Sequence, residues 1–254
     1  SVCNLISINL SQHLGVDGKW DWAKLEASTR SAIRQLDNLC DITNTPIPEA
    51  MNSNLQNRAV GLGLMGFSDI LEKLSHSYES DEAYDLIDQL TEFISYYAID
   101  ESADLAKVRG SYPEYKGSGW SRGILPVDTL DELAASRKVK VDVTRKKRLD
   151  WDALRTKVKK GMRNATVMAI APTANIGLVA GTTPGLDPQF AQIFSRSTLS
   201  GKFLEVNVNM VNALKQEGVW DEVKDEVLAR QGDIQGIDVI PQHIKDVYKT
   251  SFQL

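Results

Sequence analysis

The chain has 254 residues, 42% hydrophobic and 25% charged, with a formal net charge of −5 at pH 7. That is a globular composition; it excludes a disordered tail or a fibrous repeat, and apolar runs such as Ala165–Ala171 fall far short of the ~18–20 residues of a membrane span. The negative balance argues against nucleic acid as a partner, although the stretch Arg137–Arg163 carries twelve Lys and Arg against three Asp; a polyanion patch and a solvated loop and helix face both fit such a run, the second more commonly.

The chain opens in Ser1-Val2-Cys3-Asn4-Leu5, an apolar alternation with no initiator Met and no signal-peptide pattern, and reads as a piece of something longer. Asp21 is placed to cap a helix carrying Trp22, Leu25, Ile33, Leu36 and Leu39 at near-helical spacing and ending before Pro46-Ile47-Pro48. Ser80, Asp81 and Glu82 suit the positive end of a second helix, whose apolar stripe is Tyr84, Ile87, Leu90, Phe93, Ile94 and Tyr97. Gly110–Pro126 has the composition of an irregular surface segment, and Asp128 and Asp150 look like caps of two further helices. Ala165–Ala171 reads as a buried strand running into a helix at Pro172-Thr173. Gly181–Gly185 makes a turn, Phe190–Phe194 a further strand, and two helices finish the chain, one closing at Gly218 and one opening at Pro241. The expected class is α/β with helices dominant.

GLGLMG, Gly61–Gly66, satisfies the dinucleotide fingerprint, but the preceding Asn52–Arg58 is too polar for the strand a fingerprint requires, so glycines that let a helix pack closely are the better explanation. Ala171-Pro172-Thr173-Ala174-Asn175-Ile176-Gly177 is more informative: a strand that runs into a helix start offers free backbone N–H groups and a positive dipole end to an anion. Thr173 either adds a hydroxyl donor there or merely caps its own helix, with equal weight. His13, His76 and His243 stand at no metal-ligand spacing, so no metal site is expected. Two cysteines are too few for a disulfide framework and favour a reducing, cytoplasmic setting; composition alone makes both Cys3 and Cys40 small buried hydrophobes.

Read together, VCNLISINL from Val2, NRAVGLGLMGFSD from Asn57 to Asp69, KGSGWSRGILPVDTL from Lys116, LDWDALR from Leu149, MRNATVMAIAPTANIG from Met162, GTTPGLDP, and SRSTLSGKF ending at Phe203 give the chain its family likeness. Over essentially its whole length it resembles the large, catalytic subunit of a ribonucleotide reductase, most closely the bacterial class I type. The resemblance implies a helix-rich portion of that family's ten-stranded α/β barrel, residues 1–254 forming a single piece incomplete at both ends. It implies that Cys3 is one of two redox thiols that form a disulfide as the ribose 2′-hydroxyl is lost, its partner lying outside the chain, and that Ala171, Pro172, Thr173, Ala174 and Asn175 form the turn holding the substrate diphosphate. The radical-forming cysteine and its Asn and Glu assistants fall upstream of the chain, and the tyrosine pair and cysteine tail downstream.

The expected partners are therefore the complementary pieces of the large subunit, a radical-generating small subunit, a ribonucleoside diphosphate, and thioredoxin or glutaredoxin as reductant, with no membrane. No cofactor is expected in this piece; the holoenzyme would take its radical from a dimetal, tyrosyl-radical small subunit, or from adenosylcobalamin if the chain belongs to the class II reductases. Ser1 as first residue suits protein-splicing chemistry, and a non-catalytic relic or interaction module is the competing reading from another class.

Overall fold

The computed structural model describes residues 2–199 and 201–254, so Ser1 and the Ser200 of SRSTLSGKF lie outside the described residues. In chain order the elements are β1 (Leu5–Asn9), α1 (Trp22–Ile42), α2 (Pro48–Asn57), β2 (Gly61–Met65), α3 (Phe67–Leu74), α4 (Asp81–Arg109), α5 (Gly119–Arg122), α6 (Thr129–Arg137), α7 (Trp151–Val158) and α8 (Ala174–Ala180). They are followed by β3 (Ile193–Thr198), β4 (Gly201–Val206), α9 (Val208–Gln216), α10 (Trp220–Ala229) and α11 (Gln242–Val247). The class is helix-rich α/β. β1 pairs with β2, and β3 with β4 as an antiparallel hairpin in which Phe194 faces Glu205 and Arg196 faces Phe203. No helix among the described residues is long and apolar enough to cross a membrane.

Two compact units divide the chain. The first holds the N-terminal stretch up to Ile8, Trp22–Gly63 and Gln89–Ala171. The second holds Asn9–Asp21, Leu64–Asp88 and Pro172–Leu254.

In the first unit, α1 begins directly after Asp21 and buries Leu25, Ile33, Leu36 and Cys40 completely, as its spacing predicts. Trp22 tilts against Phe93 of α4 at 4.8 Å between ring centroids, and Tyr96 of α4 meets Trp151 of α7 edge-on at 5.4 Å. Glu92 fixes the same junction by accepting from the Trp151 indole at 2.9 Å and from the Arg148 guanidinium at 2.9 Å, and these donors hold its carboxyl below the usual range despite the opposing effect of burial. The α4 stripe begins later than its spacing suggests: Leu90 and Ile94 are buried, but Tyr84 is exposed.

A buried ion cluster organises this unit. Asp37 of α1 has no exposed surface, yet its carboxylate accepts from Arg58 (2.7 Å), Arg109 (2.6 Å) and Arg163 (3.1 Å). Arg58 also donates to the Asp37 carbonyl and to Asp41, and Arg163 donates to the carbonyls of Arg109 and Gly110. Next in sequence, buried Asn164 donates to the Arg58 carbonyl at 3.0 Å while its own amide oxygen accepts from Ser102. A buried carboxylate is tolerated only when paired and hydrogen-bonded to this degree.

Three expectations fail here for identifiable reasons. GLGLM is not in a helix; it forms β2, buried at every position. A Cβ on Gly61 would sit 2.7 Å from Leu5 and Ala169 side-chain atoms, and one on Gly63 would sit 2.6 Å from the Ala169 carbonyl, so the glycines admit close neighbours on both flanks. Ala165–Ala171 is not a strand buried on both faces. It runs extended beside β2 with a single parallel bridge, Leu62 to Met168, and exposes Thr166, Ala169 and Ile170. Gly110–Pro126 is less of a surface loop than its composition suggests, because Tyr112 and Leu125 are buried and the Trp120 indole donates to the Ala165 carbonyl at 2.8 Å.

Asp150 caps α7 through the Ala153 N–H, whereas Asp128 makes no cap bond to α6 and binds the Leu125 N–H and Arg155 instead. Part of the basic run is paired within the unit: Arg145 meets Asp131, Arg148 meets Glu92, Arg155 meets Asp128, Lys157 meets Asp100 and Asp104, and Arg163 meets Asp37.

In the second unit, Ser80 caps α4 by accepting from the Ala83 N–H at 3.2 Å. The core gathers Ile193, Met210, Leu214, Val223, Val227, Ile237, Ile244 and Tyr248 from the start of β3, α9, α10, α11 and the connecting turns. β3 starts at Ile193, three residues after the expected Phe190.

Asp37→Ala leaves three arginines around an empty site, so urea unfolding of the chain should show a loss of about 3–5 kcal/mol. Asp41→Ala, at a carboxylate whose side chain is 51% exposed, should cost about 1 kcal/mol or less. Equal small losses from both would remove the Asp37 cluster from its organising role.

Candidate functional site

Cys3 and Cys40, alike in composition, have opposite surroundings. Cys40 is fully buried in α1, and burial pushes its thiol up. Cys3 is an exposed free thiol just ahead of β1, which overturns the compositional expectation of a buried hydrophobe. Its position is fixed by its neighbour: buried Asn4 donates to Asn54 Oδ1 at 2.9 Å and to the Ala59 carbonyl at 3.4 Å, and the Asn4 carbonyl accepts from the Gly61 N–H at 2.9 Å. Asn54 in turn donates to the Cys40 carbonyl. An exposed thiol thus sits on backbone held by a buried amide.

Among the other sequence-predicted residues, Ala171 is half-buried and ends the first unit, Pro172 is exposed, and Thr173, Ala174 and Asn175 begin α8 in the second unit. Thr173 is 7% exposed and stands at φ 51°, ψ 21°, a left-handed conformation unfavourable for a β-branched residue. Its side chain makes no cap bond to α8, so the simple capping explanation is wrong; the hydroxyl oxygen accepts from the Gly185 N–H at 2.8 Å instead. The first bond of the helix runs from the Gly177 N–H to the Thr173 carbonyl at 2.7 Å. The N–H groups of Ala174, Asn175 and Ile176 precede that bond and belong to three exposed residues.

Residues that sequence reasoning passed over support this turn. Asp69 of α3 accepts from the Thr182 hydroxyl at 2.5 Å and from the Thr183 N–H at 2.9 Å, and the Gly66 N–H donates to the Thr183 carbonyl at 2.8 Å. The usable signal was the joint presence of GFSD and GTTPG, two strings that carry the family likeness without an assigned task. A cavity of about 760 Å³ lies beside α8 and this turn, with Lys73, Leu178, Phe190, Phe194, Arg196 and Glu205 among its lining.

Nearby in the second unit, Glu72 is buried, and among the described residues no ion pair reaches it. Its carboxylate accepts from the side-chain amides of Asn207 and Asn209, each at 2.9 Å. Asn207 caps α9 and donates also to Gln192, whose amide reaches the Tyr248 carbonyl at 3.0 Å. Burial pushes Glu72 up to about 7, against the two amide donors and with the Asp69 charge adding to the rise. Among the described residues, no three His, Cys, Asp or Glu side chains converge as a metal site would require.

Because the folded-state value of Glu72 lies above that of an unfolded chain, its contribution to stability is fully present below pH ~4.5 and is lost as pH rises through about 7. The loss should amount to about 3 kcal/mol. Subtracting the unfolding free energies of Glu72→Gln from those of the unmodified chain across this range should isolate it; a flat difference would place Glu72 in contact with solvent. Iodoacetamide should alkylate Cys3 in the folded chain and reach Cys40 only after denaturation.

Residues 1–254, the entire chain, match the family described as "Ribonucleotide reductase, barrel domain". Its relatives include the ribonucleoside-diphosphate reductase subunit alpha of Chlamydia pneumoniae, 45% identical over 259 residues that cover 100% of this chain and 24% of that protein. The ribonucleoside-diphosphate reductase large subunits of Caenorhabditis elegans and Danio rerio are 37% and 34% identical, each match covering 100% of this chain and 31% of the relative. The chain thus spans about a quarter to a third of the length of these relatives. Its helix-rich α/β fold and the match along its full length place the chain in the ribonucleotide reductase barrel-domain family.

Proposed function

We propose that the chain serves in the large subunit of a ribonucleoside-diphosphate reductase, where it supplies one redox thiol and the turn that holds the substrate diphosphate. The match to the reductase barrel along the whole chain carries this assignment. Two features of the geometry support it: an exposed Cys3 on fixed backbone, and a strained Thr173 opening α8.

Ribose reduction replaces the C2′–OH bond with C2′–H and releases water. The two electrons come from two thiols, which lose their hydrogens and join as a disulfide. Cys3 provides one thiol, and the second belongs to a part of the subunit outside this chain. For exchange, Cys3 has to be open both to that partner and to an external dithiol such as thioredoxin or glutaredoxin, and its exposure suits both contacts.

At the other end of the substrate, the exposed first-turn N–H groups of α8 and the Thr173 hydroxyl are donors for diphosphate oxygens. The hydroxyl already accepts from Gly185, so its own hydrogen is left to donate. A radical-generating small subunit supplies the initiating radical, in keeping with relatives named subunit alpha and large subunit. The setting is the reducing cytoplasm, where Cys3 can cycle.

In the complete large subunit, Cys3→Ser should abolish multiple turnover with thioredoxin as reductant; undiminished turnover would remove Cys3 from the reaction. Thr173→Val, close in volume but without the hydroxyl, should raise KM for a ribonucleoside diphosphate about tenfold. An unchanged KM would place the diphosphate elsewhere.

A further inference from the structure

We propose that Asp69 is a positioning residue for the diphosphate turn: it fixes the segment from Thr182 to Gly185, and that segment holds the Thr173 hydroxyl. The proposal rests on the assignment of residues 171–175 as the diphosphate turn.

Asp69 lies in the first turn of α3, where an acid ordinarily reaches back to the N–H of the residue that starts its own helix. Here that N–H, on Gly66, is committed to the Thr183 carbonyl. The Asp69 carboxylate turns instead to the Thr182 hydroxyl and the Thr183 N–H. Thr183 is therefore gripped through both its backbone groups by the junction that starts α3, and Thr182 through its side chain. From the other side, the Thr182 N–H donates to the Gly177 carbonyl of α8 at 2.9 Å.

Two residues beyond this grip, the Gly185 N–H reaches Thr173 Oγ1 at 2.8 Å. The positions of residues 182–185 thereby decide where the one remaining hydroxyl hydrogen of Thr173 can point. Gly66 is part of the same device. Its φ is +83°, and a Cβ there would lie 2.3 Å from Thr182 Oγ1, in the space through which that hydroxyl reaches Asp69. GFSD and GTTPG are thus two halves of one clamp, and Asp69 acts on the substrate only through the turn that this clamp holds.

The test is steady-state kinetics of the complete large subunit with its radical-generating partner, comparing Asp69→Ala, Asp69→Asn, Thr173→Val and the double variant Asp69→Ala/Thr173→Val. Asp69→Ala should raise KM for the ribonucleoside diphosphate, and the inhibition constant of inorganic pyrophosphate, by about tenfold, with kcat changed by about twofold or less. Asp69→Asn keeps an oxygen that accepts from Thr182 and Thr183, and should bring KM back to within about threefold of the unmodified enzyme. The double variant should raise KM by less than the product of the two single effects, because both act through the one segment from Thr182 to Gly185.

A fall in kcat at unchanged KM, additive effects in the double variant, or failure of Asp69→Asn to rescue would each overturn the proposal. Should Asp69→Ala not fold, Thr182→Val removes only the hydroxyl donor and decides the matter by the same rise in KM. If Thr173→Val itself leaves KM unchanged, the assignment of the diphosphate turn fails. If Thr173→Val raises KM while Asp69→Ala does not, only the role of Asp69 fails.

Discussion

The first unit depends on one buried negative charge. Asp37 has no exposed surface, and its desolvation is offset only because arginines from three other places in the fold converge on it. Arg58 comes from the turn after α2, Arg109 from the end of α4, and Arg163 from the segment that enters the extended run beside β2. Satisfying that carboxylate determines where those chain segments lie, and Asn164 carries the constraint onward by binding the Arg58 carbonyl. Hydrophobic burial along α1 and α4 brings these helices together without favouring one register over another that buries similar area. Charge-assisted bonds of defined direction supply that selection.

The second unit meets the same demand differently. Glu72 has amide donors in place of arginines, so it is well hydrogen-bonded yet short of compensating charge, which is why its affinity for a proton rises. Thr173 has a strained backbone but a hydroxyl bonded to Gly185. Asp37 is a structural ion cluster, whereas the polar groups around α8 are bonded in a way that keeps donors at the helix start uncommitted to the helix itself. That contrast separates the two polar clusters more clearly than burial does.

Much of the helical architecture was legible from spacing, because α1 and the middle of α4 bury large apolar groups at near-helical intervals and Ser80 and Asp150 cap helices as their residue types suggest. The strands were not. β2 is built around glycines, which contribute no hydrophobic signal, and Leu5 and Ala169 press onto the bare backbone of Gly61. Ala165–Ala171 misled in the opposite direction: its apolar residues suggested a strand buried on both faces, but only part of the run meets β2. The Asp37 cluster was invisible for a different reason, since Arg163 lies 126 residues away in sequence and no local pattern links the two. Among the candidate residues, the 171–175 segment was legible as an anion-binding helix start, whereas Cys3 was singled out only through the likeness of strings; the exposure of Cys3 and the engagement of Thr173 with Gly185 required coordinates.

The left-handed backbone of Thr173 sets up a conflict in how this sequence can drift. Glycine would occupy φ 51° with less strain than a β-branched residue does. Selection for a sturdier fold alone would therefore favour losing the threonine, and the same change would delete the hydroxyl that Gly185 holds. Position 173 is thus a place where backbone strain and side-chain bonding ask for different amino acids, glycine for the first and threonine for the second.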